Sequence, residues 1–574
     1  MLWEKLKKLF FSPALGDIVR WSKPARLGVA GICLTNAINA LCSLGTTLCT
    51  KGLIDGATGR DFDMLRRNGV LLVALAVLTL LNGYAHRLWK RRTDAKLFSH
   101  LCAQTLTRIL KKQYAGVEGY HSGELVSRVQ GDVGLVRSGI INIVPKLVSM
   151  AVGFFGATAI LISMDWRFAF VLVAMGVLGA WLLSVLGTPM KRRQANVRKI
   201  EGSLQALLHE TLQNLRLVKA SGCEAKMVDK LRDRQAQYYD TVMDQAAFSA
   251  KTNLAISSLF HVSWLFCMLW GGWGIYRGAL TYGSLAAIIR LVGEVQAPIS
   301  EASDVAAQAL YTITSAERMK ELLDLPDEEE GPSVSGRELY RSLKDIRAEH
   351  LTFSYGRESG NVLEDAELTI RPGSFVALTG ASGGGKSTLF QLLLGIYHPT
   401  GGRLDFRFTD RVEPASRRTR PLFAYVPQGN TLFSGTLREN FAMFSQSVTD
   451  EEIMDAARAA CIDELVLQLD DGLDTVIGER GVGLSEGQAQ RVAVARALLS
   501  RAPILLLDEA TRALDEETEA LLLSHLEALR DQGQELTCLI VTHRRAALSI
   551  CDYRLHLEQG KFRLREASEQ EELP

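Results

Sequence analysis

The stretch Ser374–Phe390, SFVALTGASGGGKSTLF, decides the fold of the second half of this chain. Phe375–Leu378 is a short apolar run of strand type. Gly380–Thr388 fits the spacing G-x-x-x-x-G-K-[ST], and a helical pattern opens at Lys386. A strand, a glycine-rich turn and a helix in that order make a cradle for phosphate groups. Gly380, Ser382, Gly383, Gly384 and Gly385 let backbone amides wrap an anion. Lys386 is placed to neutralise the β- and γ-phosphates of ATP, and the Ser387 hydroxyl, followed by Thr388, to help hold Mg2+.

Downstream, Ile504–Glu509 (ILLLDE) is an apolar run that ends in two carboxylates. A buried strand there delivers Asp508 to a magnesium ion and Glu509 to the water that attacks the γ-phosphate. Strand-like and helical runs alternate through SFVALTG, PILLLDE and LTCLIVTH, which predicts a parallel sheet covered by helices. Between them lies Leu484-Ser485-Glu486-Gly487-Gln488, LSEGQ, at the start of a helix. It has two readings. Ser485 with Gln488 three residues on is a capping box. The same helix start also offers unpaired amides and a partial positive charge to a phosphate.

Upstream the composition changes. The 574 residues exceed one ordinary domain, and the formal charge of +1 argues against a general nucleic-acid binder. Mean hydropathy is +0.07, with the apolar residues gathered in the first half. Six hydrophobic segments are read at 27–50, 69–88, 140–164, 168–188, 254–276 and 281–300. The sixth is interrupted by Arg290 and Glu294, and charge inside a span faces a cavity or a partner helix. Basic residues crowd the long connections after the second and fourth segments, so the positive-inside rule places those loops and both termini in the cytoplasm. Both loops have helical periodicity, which predicts that the spans run on as helices, with short breaks at 114–125 and 219–226. The start of the chain, MLWEKLKKLFF, reads as an interfacial helix on an anionic membrane. Nine cysteines without a C-x-x-C pair argue against a zinc site.

With these motifs in place, the chain resembles the ATP-binding cassette proteins, and as a whole one half of an exporter-type transporter. The resemblance implies further roles. Tyr355 in LTFSY would stack on adenine, and Gln428 in AYVPQ would contact the metal and the membrane part. LSEGQ would be the signature motif, with Ser485, Gly487 and Gln488 touching ATP held by the other subunit. Asp515 in ALD would lie in the dimer contact, and His543 in IVTHR would meet the γ-phosphate. Glu509, His543, Lys386 and Gln428 form the implied catalytic set. Ser387, Gln428 and Asp508 form the implied metal set. Three departures stand out: Glu486 where glycine is usual in the signature, Arg512 where serine is usual before ALD, and the polar stretch 407–423.

The resulting expectation is a multidomain membrane protein. An interfacial elbow (1–25) leads into an all-α six-helix transmembrane domain (26–323), a linker (324–342) and an α/β P-loop ATPase domain (343–574). The implied partners are a second half-transporter (homodimer favoured, heterodimer the alternative), membrane lipid and a transported substrate, with no nucleic acid. The implied place is the bacterial plasma (inner) membrane. Asn36, Asn39, Asn82, Lys146, His261, Arg290, Glu294 and Gln296 are cavity candidates, and a mixed polar lining suits a peptide or a lipid-like amphipathic cargo. An importer on the same fold, and a gated channel or regulator, are the competing functions. The hydrophobic segments argue against a soluble cassette ATPase.

Overall fold

The computed structural model describes residues 14–331, 334–356, 360–381, 383–445, 447–478, 483–531 and 535–566. The first thirteen residues of the elbow, Ser382 of the phosphate loop and residues 479–482 lie outside the described residues. The chain divides into two compact units. One comprises residues 1–110 and 120–324. The other comprises 111–119 and 325–574.

The first unit is helical. A short helix Ala14–Trp21 precedes six long ones: α1 (Arg26–Thr58), α2 (Phe62–Ile109), α3 (Val133–Met164), α4 (Trp166–Gln213), α5 (Glu224–Tyr276) and α6 (Tyr282–Leu323). Four meet the length and hydropathy needed to cross a membrane by themselves: the segments Lys23–Thr58, Phe62–Ile109, Ser122–Met164 and Glu224–Tyr276. The apolar run Trp166–Gly179 opening α4 is shorter. At 1.5 Å per residue the 53-residue α5 is about 80 Å long, well beyond a hydrocarbon core of about 30 Å. Large apolar side chains therefore face outward along these helices, among them Leu80, Leu81, Phe155 and Leu269.

Polar side chains tie the helices together. Asn82 of α2 donates to the Thr35 carbonyl (2.9 Å) and to Asn39 (2.7 Å) of α1. Ser43 of α1 donates to Glu294 of α6 at 2.8 Å, and Arg290 donates to Thr46 at 3.2 Å. Lys146 of α3 pairs with Glu301 of α6 at 3.3 Å. Asp55, near the end of α1, accepts from the Thr281 hydroxyl (3.0 Å) and the Gly283 amide (2.9 Å) at the start of α6. Asp165 alone separates α3 from α4; it caps α4 and accepts from Trp270 of α5 at 3.0 Å. A single turn of π-helix, Ser127–Asp132, interrupts the run into α3. Its Arg128 donates to the Arg318 carbonyl at 2.8 Å, and its Asp132 accepts from the Arg318 guanidinium.

The second unit is a mixed α/β fold. Its main sheet has the order β12-β11-β3-β10-β9-β6. The strands are β3 (Phe375–Gly380), β6 (Phe423–Val426), β9 (Ile504–Asp508), β10 (Thr537–Val541), β11 (Tyr553–Glu558) and β12 (Lys561–Glu566). All neighbours are parallel except the terminal pair β11–β12. β9 and β10 are buried along their whole length, as continuous apolar strands in a covered parallel sheet must be. A second, antiparallel sheet places β1 (Leu343–Phe353) between β2 (Leu363–Ile370) and β4 (Gly401–Phe408).

Two details go beyond the sequence reading. Within the stretch read as linker, Gly336–Arg341 forms a helix with a Ser335–Glu338 capping box, and its Leu339 and Tyr340 are buried in the second unit's core. The departure at 407–423 is a hairpin of β4 with β5 (Val412–Pro414), followed by a 3-10 turn at Arg420–Leu422. Arg420 donates to the Leu394 carbonyl (3.0 Å) and to Glu328 (3.0 Å), which ties the hairpin to the start of the unit.

Candidate functional site

The parallel order of β3, β10 and β9 brings their C-terminal ends to one edge, where such sheets bind ligands. From β3 the chain turns into the helix Lys386–Leu393, labelled α7. The turn needs glycine. Gly380 has φ of 135° and lies where a Cβ would come within 2.4 Å of the Leu557 carbonyl oxygen. Gly385, the residue before α7, has φ of 108°. Lys386 is buried and donates to the Gly380 (2.8 Å) and Ala381 (2.9 Å) carbonyls, which folds its ammonium back across the loop. Burial pushes its pKa below the ordinary lysine value, against the opposing pull of Glu509 and Asp508.

Asp508 ends β9 and is buried, with Tyr425 donating to it at 3.3 Å and Ser387 bonded to it as well. Burial raises its pKa, and these donors pull it back. Glu509 follows with a left-handed φ of 51°, a conformation that costs a non-glycine residue energy and is held only by its surroundings. Its amide donates to the Val541 carbonyl of β10 at 3.2 Å. Its carboxylate accepts from the Gln428 amide (2.9 Å) and from Arg512 (2.8 Å), both at the same oxygen, Oε2. His543 lies just beyond β10. Its pKa is lowered by partial burial and then by the charge of Lys386.

Mg2+ fits the side chains present. Ser387, Gln428 and Asp508 offer hard oxygen donors, the chemistry that Mg2+ prefers. Among the described residues no cluster of three or more His, Cys, Asp or Glu forms a cage.

The helix that opens in LSEGQ, α8 (Glu486–Leu499), begins with a full capping box. Ser485 Oγ accepts from the Gln488 amide (3.2 Å), and Gln488 Oε1 accepts from the Ser485 amide (2.8 Å). The first reading of LSEGQ is therefore satisfied in full, and it leaves the remaining first-turn amides directed away from the helix. Gly487 packs on the ALD loop, since a Cβ there would lie 2.7 Å from the Ala513 carbonyl oxygen. In that loop Asp515 accepts from the Thr518 amide and hydroxyl, both at 2.8 Å, capping the helix Glu516–Asp531, labelled α9. The backbone bond lowers the Asp515 pKa first, the hydroxyl second.

Tyr355 is half-exposed. Its hydroxyl bonds with Thr388 and donates to Gln391, both at 2.9 Å. Its ring meets Tyr397 edge-on, with centroids 5.3 Å apart. Tyr397 in turn meets Tyr114 edge-on at 5.7 Å and donates to Glu118, two residues of the 111–119 segment that belongs to this unit. The sequence reading did not single out three participants. Tyr397 is one. Gln391 is another. The third is Arg544, which donates to the Arg512 (3.0 Å) and Leu514 (2.8 Å) carbonyls and to the buried Glu519 (2.8 Å). Only the apolar neighbours of Tyr397 hinted at any of them.

Comparison with known proteins agrees with this geometry. Residues 29–299 match the family model for the ABC transporter transmembrane region, and residues 363–512 the model for ABC transporter. The chain is 30% identical over 514 residues to an ATP-dependent lipid A-core flippase of Pseudomonas fluorescens (strain Pf0-1), covering 88% of this chain and 83% of that protein. It is 28% identical over 514 residues to a fatty acid ABC transporter ATP-binding/permease protein of Mycobacterium bovis, covering 88% and 79%. A structure of a bacterial Atm1-family ABC exporter with ATP bound superposes with a TM-score of 0.78 at 22% identity, covering 94% of this chain and 95% of that one.

Proposed function

Because this chain belongs to the ABC transporter family, with its membrane and ATPase parts in one polypeptide, we propose that it works as a paired half-transporter that exports a lipid-like or peptide amphiphile. It is an integral membrane protein whose ATPase activity is coupled to transport. In the proposed arrangement the six long helices each cross the bacterial inner membrane once, and the second unit lies in the cytoplasm. The basic loops of the first half support that orientation.

The carrying observation is the meeting of Lys386, Asp508, Glu509, Gln428 and His543 at one sheet edge, with Ser485 and Gly487 on a separate helix start beside the ALD loop. One copy then supplies the phosphate loop and the carboxylates. A second copy supplies its Ser485, Gly487 and Gln488 to the same nucleotide. Bound Mg2+ would screen the β- and γ-phosphate charge. This chain's part is to grip the phosphates through the loop amides and Lys386. Glu509 orients the attacking water, and His543 meets the γ-phosphate edge. A complete carboxylate, lysine and histidine set favours a pump over a gated channel.

For the cargo, two observations count. Arg290, Glu294, Lys146 and Glu301 lie within the α1, α3 and α6 group, each bonded to a neighbouring helix, so a polar headgroup entering there would exchange for those bonds. Two relatives, moreover, are described as acting on lipid A-core and fatty acid. The test is ATPase stimulation and transport in proteoliposomes. An anionic lipid, a fatty acid and an amphipathic peptide are compared in turn. Failure of all three classes to stimulate or to move would reject the cargo reading.

A further inference from the structure

We propose that Arg512 is a positioning residue that holds the Glu509 carboxylate back and so sets the rate of ATP hydrolysis when no cargo is present. The inference rests on Glu509 as the water-orienting carboxylate. Arg512 stands three residues on, and its amide donates to the Glu509 carbonyl at 3.0 Å, closing a tight turn. That turn brings the two side chains to one side. Arg512 Nη1 donates to Glu509 Oε2 at 2.8 Å, the same oxygen that accepts from Gln428 at 2.9 Å. A carboxylate oxygen with two donors on it has little left with which to accept from a water. While both donors stay on Oε2, only Oε1 is left to accept from a water, and the guanidinium both fixes the carboxylate and draws off its charge; release of Arg512 returns Oε2 to the nucleophile.

The pair is built for release by one moving part. The backbone is pinned on both sides: Glu509 N–H on the Val541 carbonyl, and the Arg512 and Leu514 carbonyls on Arg544. The Glu509 side chain is 17% exposed, whereas that of Arg512 is 72% exposed. The guanidinium can therefore swing off by rotation of its own side chain, with no change in the strained turn. An exposed charge pair is weak and screened by salt, so the restraint is partial and slows turnover without stopping it. A serine at 512 has neither the reach nor the charge to do this.

The test uses the full chain in nanodiscs with ATP and no added cargo. R512S is expected to raise turnover about two- to fivefold, the span of one exposed ion pair, with the KM for ATP unchanged. R512K keeps the charge and should stay near the wild-type rate. At about 1 M salt, where screening acts within roughly 3 Å, the gap between wild type and R512S should shrink. Turnover in R512S equal to or below wild type, or the same rise in R512K, overturns the proposal. E509Q separates the two layers. If E509Q hydrolyses ATP at the normal rate, the reading of Glu509 itself fails. If E509Q is inactive while R512S is unchanged, only the restraint by Arg512 fails.

Discussion

Tyr397 donates its hydroxyl to Glu118, so a residue from the segment between the two halves of the helical unit is bonded beside the ring that touches Tyr355. Burial first, and the hydrogen bond to Glu118 second, raise the Tyr397 pKa, so the phenol stays protonated and keeps donating across the physiological range. Removing the hydroxyl leaves the ATP site whole but weakens this link by about 1 kcal/mol, the worth of one hydrogen bond. Tyr397→Phe is expected to keep ATP hydrolysis within about twofold while lowering cargo moved per ATP. Parallel measurement of transport and phosphate release in proteoliposomes checks it. An unchanged ratio would show that this bond has no part in linking hydrolysis to transport.

Glu509→Gln keeps the shape and the Gln428 contact but loses the charge that orients water. ATP binding should persist while turnover drops by roughly 10²- to 10⁴-fold, the range for loss of a general base. Equilibrium nucleotide binding and steady-state hydrolysis, measured on one preparation, distinguish this from misfolding.

Ser485→Arg puts a long cation at the start of α8, where Ser485 is exposed and caps the helix. Loss of the cap costs about 1 kcal/mol, too little to unfold the unit. Nucleotide-dependent pairing should nevertheless fail if this helix start meets ATP on a second copy. Crosslinking of the E509Q background with ATP, with and without the added substitution, gives the readout. Equal pairing in both would exclude the contact in trans.

His543 has a lowered pKa, so it stays neutral until the pH falls through a value below the ordinary 6.5. The sign follows from linkage: a group harder to protonate in the folded state favours folding above its ordinary value, and that favour is lost as pH drops below it. Because kcat/KM reports the free enzyme, its acid limb should lie below about pH 6.5 and move or vanish in His543→Ala. An acid limb at or above pH 6.5 that the substitution leaves in place would assign it elsewhere.

Arg544→Ala leaves Glu519, whose side chain is 2% exposed, without its guanidinium and frees two carbonyls of the ALD loop. With Glu519 buried but the Arg544 side chain 36% exposed, breaking the pair costs roughly 1–3 kcal/mol. Thermal unfolding of the second unit should shift down by several degrees. Arg544→Lys should recover part of the loss. Unaltered unfolding in both would show that the loop is anchored by other contacts.

The fold was readable because its signals are local. The strand–glycine turn–helix order at Phe375–Leu393 and the apolar blocks of the first half each follow from short-range pattern. The Ser335–Glu338 capping box was equally local, yet the acidic stretch before it masked it, and the helix Gly336–Arg341 went into the linker. The site was readable only as far as its motif residues. Tyr397, Gln391 and Arg544 act through partners 25 to 279 positions away, distances at which periodicity carries no information. Arg512 was visible as a departure, but its grip on Glu509 depends on the left-handed turn at 509, which no composition rule foretells.

The bonds joining α1 to α6 at Ser43, Thr46 and Asp55 all fall on the Thr58 half of α1, and at its tip Gly283 sits so close that a Cβ would be 2.3 Å from the Lys51 carbonyl oxygen. Helices joined in this way are soldered at one end. The Arg26 and Leu323 ends are held differently, through an apolar cluster that includes Ile32, Ile313, Ala316 and Met319 and through the Lys320–Asp17 pair at 3.0 Å. Filling the seam at Gly283 with a larger side chain would prise open the polar weld while the oily one stayed shut.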